Sequence, residues 1–166
     1  MADLTVEQMV KRMFRMRKKY KEELERVLPI TIGNAAVNLF AANFDKQGFD
    51  TGNGVEKWKE VQRRISTSNA YKYPKNKGLS RRLSAILVNT GKGRRAVHNS
   101  LRTPRISGGA VIIPFEVASD YMGYHNYGGS TKGRPPQRKF MADSAALHRI
   151  IDKKIRFSFN KVIKTK

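Results

Sequence analysis

Apolar residues recur at helical spacing from the start of the chain: Val6, Met9, Val10, Met13, then Met16 or Tyr20, and Leu24. Residues three and four apart share one helix face, so this spacing predicts an amphipathic helix. Thr5 and Gln8 stand at capping-box spacing before it, where each side chain satisfies a free backbone N–H. The opposite face carries Lys11, Arg12, Arg15, Arg17, Lys18, Lys19 and Lys21, and Glu22, Glu23 and Glu25 offset this run late. The pattern favours a helix packed on the core by its Met stripe, with a solvated basic face. A basic amphipathic helix also suits DNA, a membrane or a partner protein. Pro29 is expected to end this helix and open the next. From Ile30 to Phe44 the chain is nearly uncharged and apolar on most of a helical surface, which predicts a buried core helix. Gly33, Ala35, Ala36, Ala41 and Ala42 leave room on it for a neighbouring element.

Further on, the patterns shorten. Asp45 to Gly54 reads as a turn-rich loop, and Trp58 as the anchor that tacks it to the core. Gln62 to Arg82 is a long polar, basic loop. Leu83 to Thr90 is a short apolar segment closed by Gly91, and the alternation of Val97, Asn99 and Leu101 predicts a half-buried strand. Ser107-Gly108-Gly109 is a hairpin turn signal before Ala110–Phe115, with Pro114 confining that strand's end to an edge or bulge. A β-hairpin is therefore expected near 94–116.

Tyr121 to Met141 is the most unusual stretch, too rich in Gly and Pro for a helix or central strand. It reads as a structured crossing that turns at Gly128-Gly129, exposes a basic tip and re-enters through Pro135-Pro136. Phe140, Leu147, Ile151, Ile155, Phe159 and Val162 then predict a long helix over Arg138–Ile163, with cations late, where they favour a helix C-terminus. The sum is an α+β fold: long N- and C-terminal helices and a buried central helix packed on a small antiparallel sheet. The expected organisation is a basic helical arm over 1–28, one domain over 29–163 with its polar loop at 62–82, and a tail at 164–166.

Charge changes the picture more than composition does. Lys and Arg number 34 against 13 acids, a formal charge of +21, so the chain attracts polyanions: nucleic acid, acidic protein or an anionic membrane. Arg63, Arg64, Tyr71, Lys72, Tyr73, Lys75, Lys77, Arg81 and Arg82 interleave cations with rings and are the candidate polyanion contacts. With no cysteine, disulfides, zinc knuckles and thiol catalysis are excluded. The sequence shows neither an apolar run of the roughly 18 to 20 residues that span a bilayer nor a signal peptide, so no membrane partner is expected. His98, His125 and His148 lack metal-ligand spacing, and Gly91-Lys92-Gly93 lacks the Walker spacing and its hydroxyl. Asp45, Asp50 and Asn53 do not match a calcium loop. His125-Asn126 suggests an HNH-type nuclease, but the further ligands are missing. No catalytic set, metal site or cofactor is expected, and the chain reads as a non-enzyme.

The order Tyr121, His125, Gly128, then Pro136-Gln137-Arg138-Lys139-Phe140-Met141 resembles the signature of the phage virion morphogenesis family. That family includes the tail completion proteins of tailed phages. Phe44 with Trp58 downstream, and Ile86 to Gly91, fit in order, so the resemblance spans Phe44 to the C-terminal helix. Gly123, near a usual Ala, and the very basic run after Gly91 depart from it. The resemblance implies a structural subunit of the neck at the head–tail junction, a homo-oligomeric ring around the DNA channel. Its partners would be copies of itself, the head–tail adaptor or tail tube proteins, and genomic DNA. Its place would be the virion, and the host cytoplasm during assembly. The fold-signature residues it points to are Trp58, Tyr121, His125, Gly128, Pro136, Arg138 and Phe140. The competing expectation is a basic nucleic-acid-binding protein that contacts DNA or RNA through phosphates. A toxin-like nuclease is a weaker third.

Overall fold

The computed structural model of the chain describes residues 5–73, 85–87, 91–128 and 135–164. It is an α+β structure, about 59% helical, with two separate antiparallel two-stranded sheets in place of the single sheet expected. One helix of 41 residues, Val6–Lys46, runs without a break through Pro29. Its first part, α1 (Val6–Glu22), passes through a π turn (Glu23–Val27) into α2 (Leu28–Lys46). The expected break at Pro29 is therefore wrong, and the π turn supplies the reason. Proline lacks an N–H and its ring crowds the carbonyl one turn earlier. Just before it, the Leu28 N–H reaches back five residues to the Glu23 carbonyl, and this wider turn carries the helix past the ring.

α2 is the core helix that its composition predicts, with Ala36, Val37, Phe40, Ala41 and Phe44 all buried. Gly33 lets the second hairpin come close, since a Cβ there would stand 2.6 Å from a Leu101 methyl. Contrary to the expectation of no membrane-length apolar run, an 18-residue window of the long helix, of mean hydropathy 1.4, is long and apolar enough to cross a membrane, although half of it is buried inside the fold, as in the core helix of a globular protein. α2 ends at Gln47 in the left-handed conformation, and the chain turns at once into β1 (Gly48–Asp50), paired with β2 (Val55–Lys57). A loop was expected here. The strands are only three residues long, too short to show alternation. The Asp50 carboxylate organises their tip by accepting from the Gly52 N–H at 2.8 Å and from the Lys46 ammonium.

The chain continues through a short 3₁₀ turn (Gln62–Arg64) and α3 (Asn69–Lys72). Of the apolar segment expected over Leu83–Thr90, residues 85–87 form a turn, and the rest lies outside the described residues. The strand expected at Val97–Leu101 is instead α4 (Lys92–His98). Val97 and Leu101 are four apart, a spacing that a helical turn also satisfies; Val97 enters the core and Leu101 alone bridges to Phe115. The expected hairpin is present in shorter form, as β3 (Arg105–Ser107) and β4 (Ala110–Ile112) around Gly108-Gly109, both at positive φ as a two-residue primed turn requires.

The Tyr121 stretch holds a helix after all, α5 (Asp120–Tyr127). Met122, His125 and Asn126 are its buried residues, at i, i+3 and i+4, and this spacing outweighs the cost of Gly123. The turn proposed at Gly128 occurs, while Gly129 and the basic tip lie outside the described residues. The last helix, α6 (Ala145–Lys164), starts later than expected. The Ser144 hydroxyl accepts from the Leu147 N–H at 3.2 Å at its start, and residues 138–144, expected to be helical, are irregular with a bend at 141–142.

These elements meet on one aromatic core. Phe44 packs edge-on against Trp58 at 5.6 Å between ring centroids and against Phe140 at 5.3 Å, among Ala36, Phe40, Ile86, Val97 and Met122. α1 stays outside it. The Thr5–Gln8 capping box forms as expected, but no α1 residue is buried, so the Met stripe does not pack on the core. Among the described residues, its C-terminal end is fastened by Tyr20 against Phe159, and the π turn after it by Glu23, which accepts from the Ser158 hydroxyl.

Asn43 tests how the core is closed. It is fully buried, donates to the Phe140 carbonyl at 3.0 Å and accepts from the Asp50 N–H at 3.0 Å. Asn43→Ala leaves both backbone groups unpaired in the interior, and it is expected to cost about 2–3 kcal/mol in chemical denaturation. A loss below about 0.5 kcal/mol would mean that these bonds do not hold the core shut.

Candidate functional site

The site is built around an irregular segment, Arg138 to Met141, that belongs to no helix or strand and pairs with none among the described residues. Its backbone groups must find other partners, because buried N–H and C=O groups are costly when unpaired. The Arg138 N–H donates to the His125 carbonyl at 2.7 Å. The Lys139 carbonyl accepts from Trp58 Nε1 at 2.7 Å, and the Phe140 carbonyl from Asn43. Asn126 supplies three more bonds. Its Oδ1 accepts from the N–H groups of Phe140 and Met141, both at 2.9 Å, and its Nδ2 donates to the Met141 carbonyl at 2.9 Å. Gly128 lets the chain turn back over this segment: it sits at φ +72°, and a Cβ there would lie 2.9 Å from Gln137 Cβ.

One side of this arrangement is a cavity of ≈ 470 Å³ whose lining includes Arg63, Lys92, Ser119, Tyr121, His125 and Arg138. Arg138 is 5% exposed, with its Nε donating to the Lys59 carbonyl at 3.2 Å. Burial pulls its pKa down from the ordinary guanidinium value, but a guanidinium stays charged in a protein. Among the described residues no carboxylate lies within ion-pair distance of it; Glu60, the acid that acts on it from farther off, is paired with Arg64 at 3.4 Å. His125 is 4% exposed, and its Nδ1 lies 3.5 Å from Arg138 Nη1, the outer limit of a hydrogen bond. A guanidinium only donates, so Nδ1 accepts and the ring proton sits on Nε2. That buried Nε2 has no hydrogen-bond partner among the described residues. Burial first, and the Arg138 charge second, push the His125 pKa down to about 4, so the ring is neutral near pH 7.

The structure gathers most of the residues singled out in the sequence. Trp58, His125, Gly128, Arg138 and Phe140 form one packed unit, while Pro136, two residues before Arg138, is exposed. Tyr121 is 62% exposed at the cavity mouth, edge-on to the His125 ring at 4.4 Å between centroids. The polyanion set does not gather in this way. Arg63 lines the cavity and donates to the Ala85 carbonyl at 3.1 Å, and Arg64 is engaged by Glu60 and Gln47. Tyr71 is half-buried, Lys72 and Tyr73 are exposed, and Lys75, Lys77, Arg81 and Arg82 lie outside the described residues. Asn43, Asn126 and Ser119 were missed. The signal for Asn43 and Asn126 was a polar amide at a core-facing helical position. Lys92 was weighed only as part of a Walker loop.

The acids of the turn at 45–54 do not converge. Asp45 forms a two-pronged ion pair with Arg94 at 2.8 and 2.9 Å, and Asp50 faces Lys46. Among the described residues no three His, Asp or Glu side chains gather as a metal site. Compared with protein families, curated proteins and solved structures, the chain matches none.

His125 gives the site a pH signature. Its folded pKa, about 4, lies below the unfolded value of 6.5, so the unfolded chain binds the proton more readily between them. The stability tied to this group is complete above pH 6.5 and is lost as pH falls toward 4. The unfolding free energy is expected to drop over that window by up to about 3 kcal/mol, and His125→Gln is expected to flatten the slope. An unchanged slope in the variant would show that His125 is not the group responsible.

Proposed function

We propose that this chain is a structural subunit of a tailed phage or prophage virion, of the tail completion or neck type, which assembles as a homo-oligomeric ring around the DNA channel. The observation that carries the reading is α1. Val6, Met9, Val10, Met13 and Phe14 are 44–79% exposed along a helix with no buried residue. An exposed apolar stripe on a well-capped helix is a surface that waits for a partner. The resemblance residues add support, because Trp58, His125, Gly128, Arg138 and Phe140 act together as one packing unit, as determinants of a fold would. Side-by-side contact between copies would cover the stripe. The arms and the exposed basic residues would meet the head–tail adaptor, the tail tube and the genome. Nothing in this role needs a cofactor or a catalytic residue.

The second reading, a nucleic-acid binder, draws on the other face of α1, where Lys11, Arg12, Arg15, Arg17, Lys18 and Lys19 are exposed. The two readings separate with salt, because phosphate contacts weaken steeply as salt rises and apolar contacts do not.

Light scattering on nuclease-treated protein is expected to give one discrete oligomer at both moderate and high salt. The double change Met13→Asp and Phe14→Asp is expected to reduce it to monomer while leaving fold stability within about 0.5 kcal/mol, as for surface positions. A monomer at every salt, or an oligomer indifferent to the double change, would contradict this assembly.

A further inference from the structure

The long helix carries two uncovered faces, one on each side of the π turn. The first is the apolar stripe of α1. The second begins at the end of the π turn and runs along α2. From Val27 to Phe44 the helix has no charged residue, although 28% of the chain is charged. The core does not use all of this stretch, since half of an 18-residue apolar window of the helix is left unburied. Val27 and Ile30 are 39% and 47% exposed, and Asn34 and Asn38 are exposed after them. At i, i+3, i+7 and i+11 these four share one side of the helix. Depletion of charge marks the centre of a protein interface, not ordinary surface.

We infer that this neutral face is the seat for the α1 stripe of a neighbouring copy; the inference rests on the assembly proposed above and names its contact. Both faces lie on one continuous helix, so a chain cannot lay its own stripe on its own seat, and the two meet only between chains. Their lengths agree: at about 1.5 Å per residue, the stripe over residues 6–14 spans about 12 Å and the seat over residues 27–38 about 16 Å. Charge selects the seat over a second stripe. α1 holds seven cations against two acids, so stripe on stripe would press two basic helices together. The seat adds no repulsion, and the exposed acids Glu22 and Glu25 stand just before it. Glu22 is held only by a surface pair with Arg26 at 3.7 Å, which costs little to exchange for a cation of the arm. Met9 and Met13 suit the stripe, because flexible thioether chains fill an irregular surface. Each copy thus gives its stripe to one neighbour and receives another on its seat. A head-to-tail contact of this kind makes a ring when its rotation closes.

Light scattering on the full chain and on two kinds of variant tests it. The arm variant carries Met13→Asp with Phe14→Asp, and the seat variant carries Ile30→Lys with Asn34→Lys. Both seat positions are exposed and lysine is a good helix former, so the seat variant is expected to keep the wild-type denaturation midpoint. Asn34→Lys with Asn38→Lys replaces no apolar residue and is expected to act in the same way. Each variant alone is expected to be monomeric at moderate salt. An equimolar mixture of arm and seat variants is expected to give a one-to-one heterodimer that grows no further, because it retains one intact stripe and one intact seat that can meet. A seat variant that still assembles like the wild type, or a mixture that stays monomeric, would overturn the seat and leave the assembly itself standing. A wild-type chain that is monomeric at every salt would overturn both.

Discussion

The structure depends on how one stretch of backbone is satisfied. Arg138 to Met141 is an irregular segment that pairs with no strand among the described residues, so its peptide groups rely on side chains and on one backbone carbonyl. Each such bond contributes only about 1 kcal/mol net, but each buried group left unpaired costs about 1–3 kcal/mol. The consequence is specificity of place. Asn43 on α2, Trp58 after the first hairpin and Asn126 on α5 reach this segment only in one arrangement of those three elements. The aromatic contacts of Phe44 with Trp58 and Phe140 then fill the space that the polar clamp defines.

The same clamp sets the electrostatics of the cavity. Fixing the Arg138 backbone against the His125 carbonyl brings a buried guanidinium beside an imidazole. Burial and the neighbouring cation both disfavour a charged ring, so the histidine is neutral near pH 7. α1 stands apart from this unit. It is continuous with the core helix through the π turn, yet its apolar residues remain uncovered. A rigid core element is thereby prolonged into an arm, which gives a partner surface a fixed direction.

What could be read in the sequence follows from how many residues each signal spans. The buried helix over Ile30–Phe44, the capped basic helix and the Gly108-Gly109 hairpin rest on composition, periodicity or turn chemistry repeated over several positions, and they are present. Pro29 misled because its local cost is relieved by one wider turn, which no nearby residue announces. The strand expected at Val97–Leu101 rested on two apolar residues whose spacing suits either period. α5 was hidden by Gly123 and Gly128, although Met122, His125 and Asn126 keep the helical spacing. Most residues of the resemblance motif fall beside this clamp. It could not supply the roles of Asn43 and Asn126, because an amide that clamps a distant backbone looks in sequence like any other polar residue.

Native-state amide hydrogen exchange, read residue by residue, tests the clamp most directly. If it closes the fold, the amides of Arg138, Phe140 and Met141 will exchange only through global unfolding, as slowly as those of Phe40 and Phe44 in α2. Exchange of these three amides orders of magnitude faster than in α2 would show the segment opening on its own, and the account of the core and of the cavity built on it would be contradicted.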